Sequence, residues 1–148
     1  MLATLPDLTC IDMGNTSVSQ SCFRYLPQLT KLKFLAIDTK GAKREEIKEI
    51  GQCHSLVVLK FSNCRDLNDE SISLLANLRN LEVLDIKSSP VSVNGVKKLS
   101  GLKLSRFELP KSYYSQKDFA DLKMSFPKTK LAVIPHKDAD VQDAPWSP

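Results

Sequence analysis

Long apolar runs are missing from this sequence. The longest, Leu56 to Leu59 and Leu131 to Ile134, fall far short of the roughly 20 residues that a membrane-spanning helix needs, so no transmembrane helix is expected. Residues 1 to 20 lack both a basic start and an uninterrupted apolar stretch, and no secretory signal is visible. Cysteine is sparse: Cys10, Cys22, Cys53 and Cys64 are too few and too irregular for a disulfide framework. We read them as reduced thiols, which favours a cytoplasmic location. Glycine is scarcer than average, and the five glycines are scattered. They form neither a phosphate-cradling loop nor a dinucleotide fingerprint, and there is no Gly-x-Ser-x-Gly elbow.

What is present is the composition of one globular domain. The chain has 148 residues, 42% hydrophobic and 26% charged, enough to bury a core without metal or disulfides. The net charge of +4 is mildly basic, but Lys and Glu alternate, as in Lys43 to Glu49. Such a run is a solvated face rather than a nucleic-acid footprint.

The apolar residues recur with a fixed skeleton. Leu5, Leu8, Ile11 and Met13 have the same spacing as Leu29, Leu32, Leu35 and Ile37. Cys53, Leu56, Leu59 and Phe61 follow, then Leu78, Leu81, Leu84 and Ile86, then a looser set at Gly101, Leu104, Phe107 and Leu109. The first members lie 24, 24, 25 and 23 residues apart, a period that signals a solenoid. A sixth unit begins at Phe126 and ends at Ile134, supplying a closing strand. Within each unit the period changes: Leu59 and Phe61 alternate with Lys60 as in a strand, whereas Ile72 and Leu75 are spaced as on a helix. Second apolar groups such as Phe23 and Leu26, Ile47 and Ile50, or Val96 and Leu99 should face the core from a short helix. Asn68 and Ser115 are the expected helix starts. No such unit buries its own apolar face, so stacking is required.

This skeleton resembles that of leucine-rich repeat proteins, with the motif Leu-x-x-Leu-x-Leu-x-x-Asn/Cys/Thr, over about residues 5 to 134. Leu56, Leu59, Phe61 and Cys64 carry it best. The Cys64 turn is similar to the cysteine-containing repeats of F-box proteins, and the other repeats are closer to bacterial repeats of about 24 residues. The family's Asn/Cys/Thr position holds Thr16, Lys40, Cys64, Ser89 and Ser112, so the asparagine ladder is absent. The resemblance implies an α/β fold: a right-handed solenoid with a parallel sheet on one face and short helices on the other. It also implies a protein-recognition module without catalysis of its own.

Candidate chemistry is thin. Cys53, His54 and Cys64 make a partial metal set with no fourth ligand. A Cys-His hydrolase would need a thiol beside an imidazole, yet Cys10 lies two repeats from His54, and His136 falls after the last repeat. No cofactor, metal, small-molecule substrate or enzymatic activity is expected. Tyr113 and Tyr114 read as an aromatic pair closing an irregular coil.

The outer sheet face is different. The register predicts three columns across it: Cys10, Phe34, Val58, Val83 and Arg106; Asp12, Ala36, Lys60, Asp85 and Glu108; and Gly14, Asp38, Ser62, Lys87 and Pro110. An apolar stripe of Phe34, Val58 and Val83, about 10 Å long at the spacing of sheet strands, is rimmed by Asp38, Lys60, Asp85, Lys87, Arg106 and Glu108. An apolar centre in a charged rim is the pattern of a protein-binding site. Two other readings stay open. One is an adaptor or assembly segment, including an F-box-type recognition arm, that docks on another domain or subunit through an uncapped N-terminal repeat. The other is binding to nucleic acid through Lys97, Lys98, Lys103 and Arg106, disfavoured by the charge pattern. Residues 1 to 134 are expected to form the repeat domain. Residues 135 to 148, rich in Pro, Asp and Ala with Trp146, are expected to form a flexible tail.

Overall fold

A computed structural model gives the fold, and it describes residues 5–14, 20–38, 42–62, 64–110 and 114–134. Six strands form one sheet in sequence order: β1 (Cys10–Met13), β2 (Phe34–Asp38), β3 (Val58–Ser62), β4 (Val83–Asp85), β5 (Arg106–Pro110) and β6 (Lys130–Ile134). Every neighbouring pair is parallel. Leu35 pairs with Leu59, Leu59 with Leu84, Leu84 with Phe107, and Phe107 with Leu131. The repeat predicted from spacing is therefore the register of the sheet.

Each crossover carries a short helix: α1 (Arg44–Ile50), α2 (Val93–Lys97) and α3 (Gln116–Ser125), with 3-10 helices at Gln20–Gln28 and Ser71–Asn77. A 3-10 helix rises further per residue than an α-helix, so it crosses the back of a coil with few residues. In the first of them, Pro27 also removes an amide donor. The core lies between the two layers. Leu35, Leu59, Leu84 and Phe107 from the strands are fully buried, as are Ile47, Ile72 and Val96 from the helices.

Of the two expected helix starts, Ser115 is the cap residue of α3, whereas the second 3-10 helix begins at Ser71 behind Glu70 and Asn68 lies in the turn before it. The Ser115 hydroxyl accepts from the Asp118 amide, and the Asp118 carboxylate accepts from the Ser115 amide at 2.9 Å. The Asn68 side-chain oxygen accepts the amides of Glu70 and Ser71. Another cap was not foreseen: Ser92 starts α2 and is itself held by the Asp69 carboxylate of the preceding coil. Here the helix layers approach closely. A Cβ at Gly95 would lie 2.4 Å from Asp69 Oδ1, and one at Gly51 would lie 2.3 Å from the Leu74 carbonyl oxygen.

Side chains tie the coils together where the chain turns from helix to strand. Ser55 donates to the Leu32 carbonyl at 2.8 Å, Asn80 to His54 at 2.8 Å, Ser105 to Glu82 at 3.1 Å and Thr129 to Leu104 at 2.7 Å. Each bond reaches one coil back. At the opposite turn, where the family places its ladder, Cys64 donates weakly to the Ala42 carbonyl at 3.6 Å. Ser89 is fully buried there with no partner for its hydroxyl among the described residues. Thr16, Lys40, Ser112, Tyr113 and the tail 135–148 lie outside the described residues.

Two substitutions test this packing by urea denaturation. Leu59→Ala is expected to cost about 2 to 5 kcal/mol, because it empties the middle of the core; no measurable cost would refute the register. Ser89→Ala is expected to leave stability unchanged or raised, since it removes a buried hydroxyl that makes no bond among the described residues.

Candidate functional site on the outer face of the sheet

The strands carry the first two predicted columns in register. Cys10 pairs with Phe34, Phe34 with Val58, Val58 with Val83, Val83 with Arg106, and Arg106 with Lys130. Asp12, Ala36, Lys60, Asp85, Glu108 and Ala132 align likewise. Of the third column, Asp38 pairs with Ser62, and the Asp38 side chain lies outside the described residues.

Phe34, Val58 and Val83 are all partly exposed, so the stripe is accessible. Lys60 extends over the Phe34 ring, its ammonium 5.5 Å from the ring centroid. This stacking sets a cation at the border of the stripe.

Asp85 and Glu108 behave differently from surface carboxylates. They are register partners, yet they are only 3% and 9% exposed. Two carboxylates on adjacent strands, away from water, repel each other unless cations intervene. Lys87 supplies one, with Nζ 2.8 Å from Asp85 and 3.7 Å from Glu108. Arg106 supplies the other, its Nε donating to Glu108 at 2.8 Å. The cluster is neutral overall. The hydrogen bond to Asp85 is the main reason that the Lys87 ammonium titrates above its ordinary range. Asp85 also accepts the Lys87 amide at 3.1 Å, and Asp12 accepts the Gly14 amide at 2.8 Å in the same way. These carboxylates turn the chain out of the strand, which helps explain why β4 is short.

Two of the four thiols, Cys53 and Cys64, are disposed for packing, while Cys22 is partly buried and Cys10 is exposed on β1. Cys53 is buried and its pKa is raised to about 12, chiefly by burial and then by Glu49. Burial raises Cys64 to about 11. His54 is exposed on a turn. Among the described residues, no three His, Cys, Asp or Glu side chains are placed to hold a metal, and no helix is long and apolar enough to cross a membrane.

Of the four cations proposed for nucleic acid, Lys103 is exposed and the other three are engaged within the chain. Lys97 pairs with Asp121 at 3.4 Å, Lys98 donates to the Asp69 carbonyl at 2.6 Å, and Arg106 belongs to the sheet cluster. Tyr114 is partly buried, and its hydroxyl donates to the Val91 carbonyl at 2.7 Å.

Comparison with solved structures decides the architecture. The chain superposes on a leucine-rich repeat protein of Leptospira interrogans with a TM-score of 0.58 at 19% identity, over 88% of this chain. The fold is a leucine-rich-repeat solenoid. An internalin of Listeria monocytogenes matches 95% of the chain with a TM-score of 0.49 at 19% identity. The chain spans 38% and 46% of the lengths of these two proteins. No family model and no curated protein sequence matches the chain. The solenoid's sheet matches expectation strand by strand, while the burial of Asp85 and Glu108 was missed. Its signal was the alternation of opposite charges on adjacent strands, Asp85 with Lys87 and Arg106 with Glu108.

Lys87→Met leaves the two carboxylates with Arg106 alone and is expected to cost about 1 to 3 kcal/mol at neutral pH. Lowering the pH toward the carboxylate range should recover part of that loss. In the wild type, the Lys87 contribution is present at neutral pH, because its folded pKa lies above the 10.5 of a free lysine. It is lost only as the pH rises through that folded value. A Lys87→Met protein as stable as wild type at neutral pH would show that Lys87 contributes no net stability.

Proposed function

We propose that this solenoid is a non-catalytic protein-recognition module that binds a protein partner on the outer face of its parallel sheet. The observation that carries the reading is the aligned, partly exposed stripe of Phe34, Val58 and Val83 on consecutive strands. Partly exposed apolar side chains in one contiguous row leave surface that a partner can cover. They stand on a rigid sheet, so little ordering opposes binding on this side.

The charged residues divide the work. Lys60 and Arg106 are exposed and can meet a partner directly. Asp85 and Glu108 are buried and hold Lys87 and Arg106 in place. Asp38 completes the proposed rim. The buried, high-pKa thiols Cys53 and Cys64 support a reading without chemistry at those two cysteines.

A second reading, an adaptor docking through its first repeat, draws support from a separate place. Leu5 is 50% exposed, and Leu8 and Ile11 are only partly buried beside the outer edge of β1. Such a surface fits another domain or subunit. It predicts that Leu5→Glu weakens association while Phe34→Ala does not.

The deciding experiment is affinity capture with wild type and a Phe34→Glu, Val58→Glu double variant of matched thermal stability. A partner retained by the wild type and lost by the variant supports the sheet face. Once a partner is in hand, Phe34→Ala is expected to weaken binding by about 2 kcal/mol, roughly thirtyfold. Unchanged affinity for both Phe34→Ala and Val58→Ala would refute the sheet-face site.

A further inference from the structure

A second surface lies along the edge where helices turn into strands. Two shallow cavities, about 490 Å³ and about 520 Å³, share Lys103 and Ser105 and so form one groove. Four cations line it, Lys33, Arg79, Lys103 and Lys128, against one carboxylate, Glu82. All five side chains belong to exposed residues. Lys33, Lys103 and Lys128 make no ion pair among the described residues, unlike Lys87, Lys97 and Arg106. Arg79 is steadied over the groove by a bond from Nη1 to the Gly101 carbonyl at 3.3 Å.

The backbone here has little to offer a ligand. The Lys33 carbonyl accepts the amides of Val57 and Val58, Val57 accepts those of Glu82 and Val83, and Glu82 accepts those of Ser105 and Arg106. The Ser105 and Thr129 hydroxyls are spent on the preceding coil. Recognition must therefore come from the cations, since the apolar side chains beneath them, Leu81, Leu102, Leu104 and Phe126, belong to the core. These four are no more than 6% exposed. The groove is shallow rather than a deep pocket.

The geometry points to a binding groove for an acidic, extended peptide segment of a partner protein. From the coil of Lys33 to the coil of Lys128 is four strand spacings, about 19 Å, the length of roughly six extended residues. Charge complementarity selects the acidic chain. A single-stranded nucleic acid is the weaker fit, because such ligands stack their bases on exposed rings. Phe126, the one aromatic lining the groove among the described residues, is 4% exposed. This groove is separate from the Phe34, Val58 and Val83 stripe, so the two surfaces stand or fall independently.

The test is selection from a phage-displayed library of random linear peptides on the intact chain, followed by anisotropy titration of the selected peptides. Selected sequences are expected to be enriched in Asp and Glu. Their affinity should fall with added salt and drop about tenfold in a Lys33→Glu, Lys103→Glu variant. It should be retained in the Phe34→Glu, Val58→Glu variant, with thermal melts showing both variants folded. Four results would each overturn the assignment: no peptide selected; no acidic enrichment; loss of binding only in the sheet-face variant; or an oligothymidylate that binds as tightly as the peptides.

Discussion

A coil of about 24 residues leaves its leucines bare on two flat sides, and only another coil stacked about 4.8 Å away covers them. This constraint explains most of the molecule. It demands that Leu35, Leu59, Leu84, Phe107 and Leu131 fall in register. It forces each crossover to cross the back of a coil in few residues, hence the short α and 3-10 helices. It also brings the helix layers so close that Gly51 and Gly95 have no room for a side chain.

The same stacking shapes the electrostatics. Strands at fixed separation put Asp85 directly beside Glu108, and the next residues on the face, Lys87 and Arg106, become their obligatory partners. A buried ion cluster of this kind adds modest net stability, since desolvation offsets much of the attraction. Its effect is geometric: it holds cations in defined places next to an apolar row. A sheet with locked charges presents a surface whose shape changes little on contact.

Much of this was legible in the sequence, because a repeat states the same constraint several times. The spacing of Leu29, Leu32 and Leu35 recurs at Leu78, Leu81 and Leu84, and the columns of the sheet follow from it. Features that occur once, or that change chemistry from coil to coil, were harder to read. Ser55, Asn80, Ser105 and Thr129 perform one task with three residue types at two positions of the repeat. No motif search would align them. Asp85 and Glu108 read as rim charges, since burial depends on neighbours from another strand. The edge groove was invisible for the same reason: Lys33, Arg79, Lys103 and Lys128 come from four different coils.

The ladder of side chains that reach one coil back has a consequence for how the chain folds. Ser55 to Leu32, Ser105 to Glu82 and Thr129 to Leu104 each join residues 23 to 25 positions apart. Closing a loop of that size costs little more than closing one half as long, because the entropy grows only logarithmically. A pair of central coils can thus form first, and each further coil then docks on a finished face. On release, the outermost coils fray before the middle ones. Because every tie is to the immediate neighbour, a stack of this kind can be lengthened or shortened by one coil without rewriting the others.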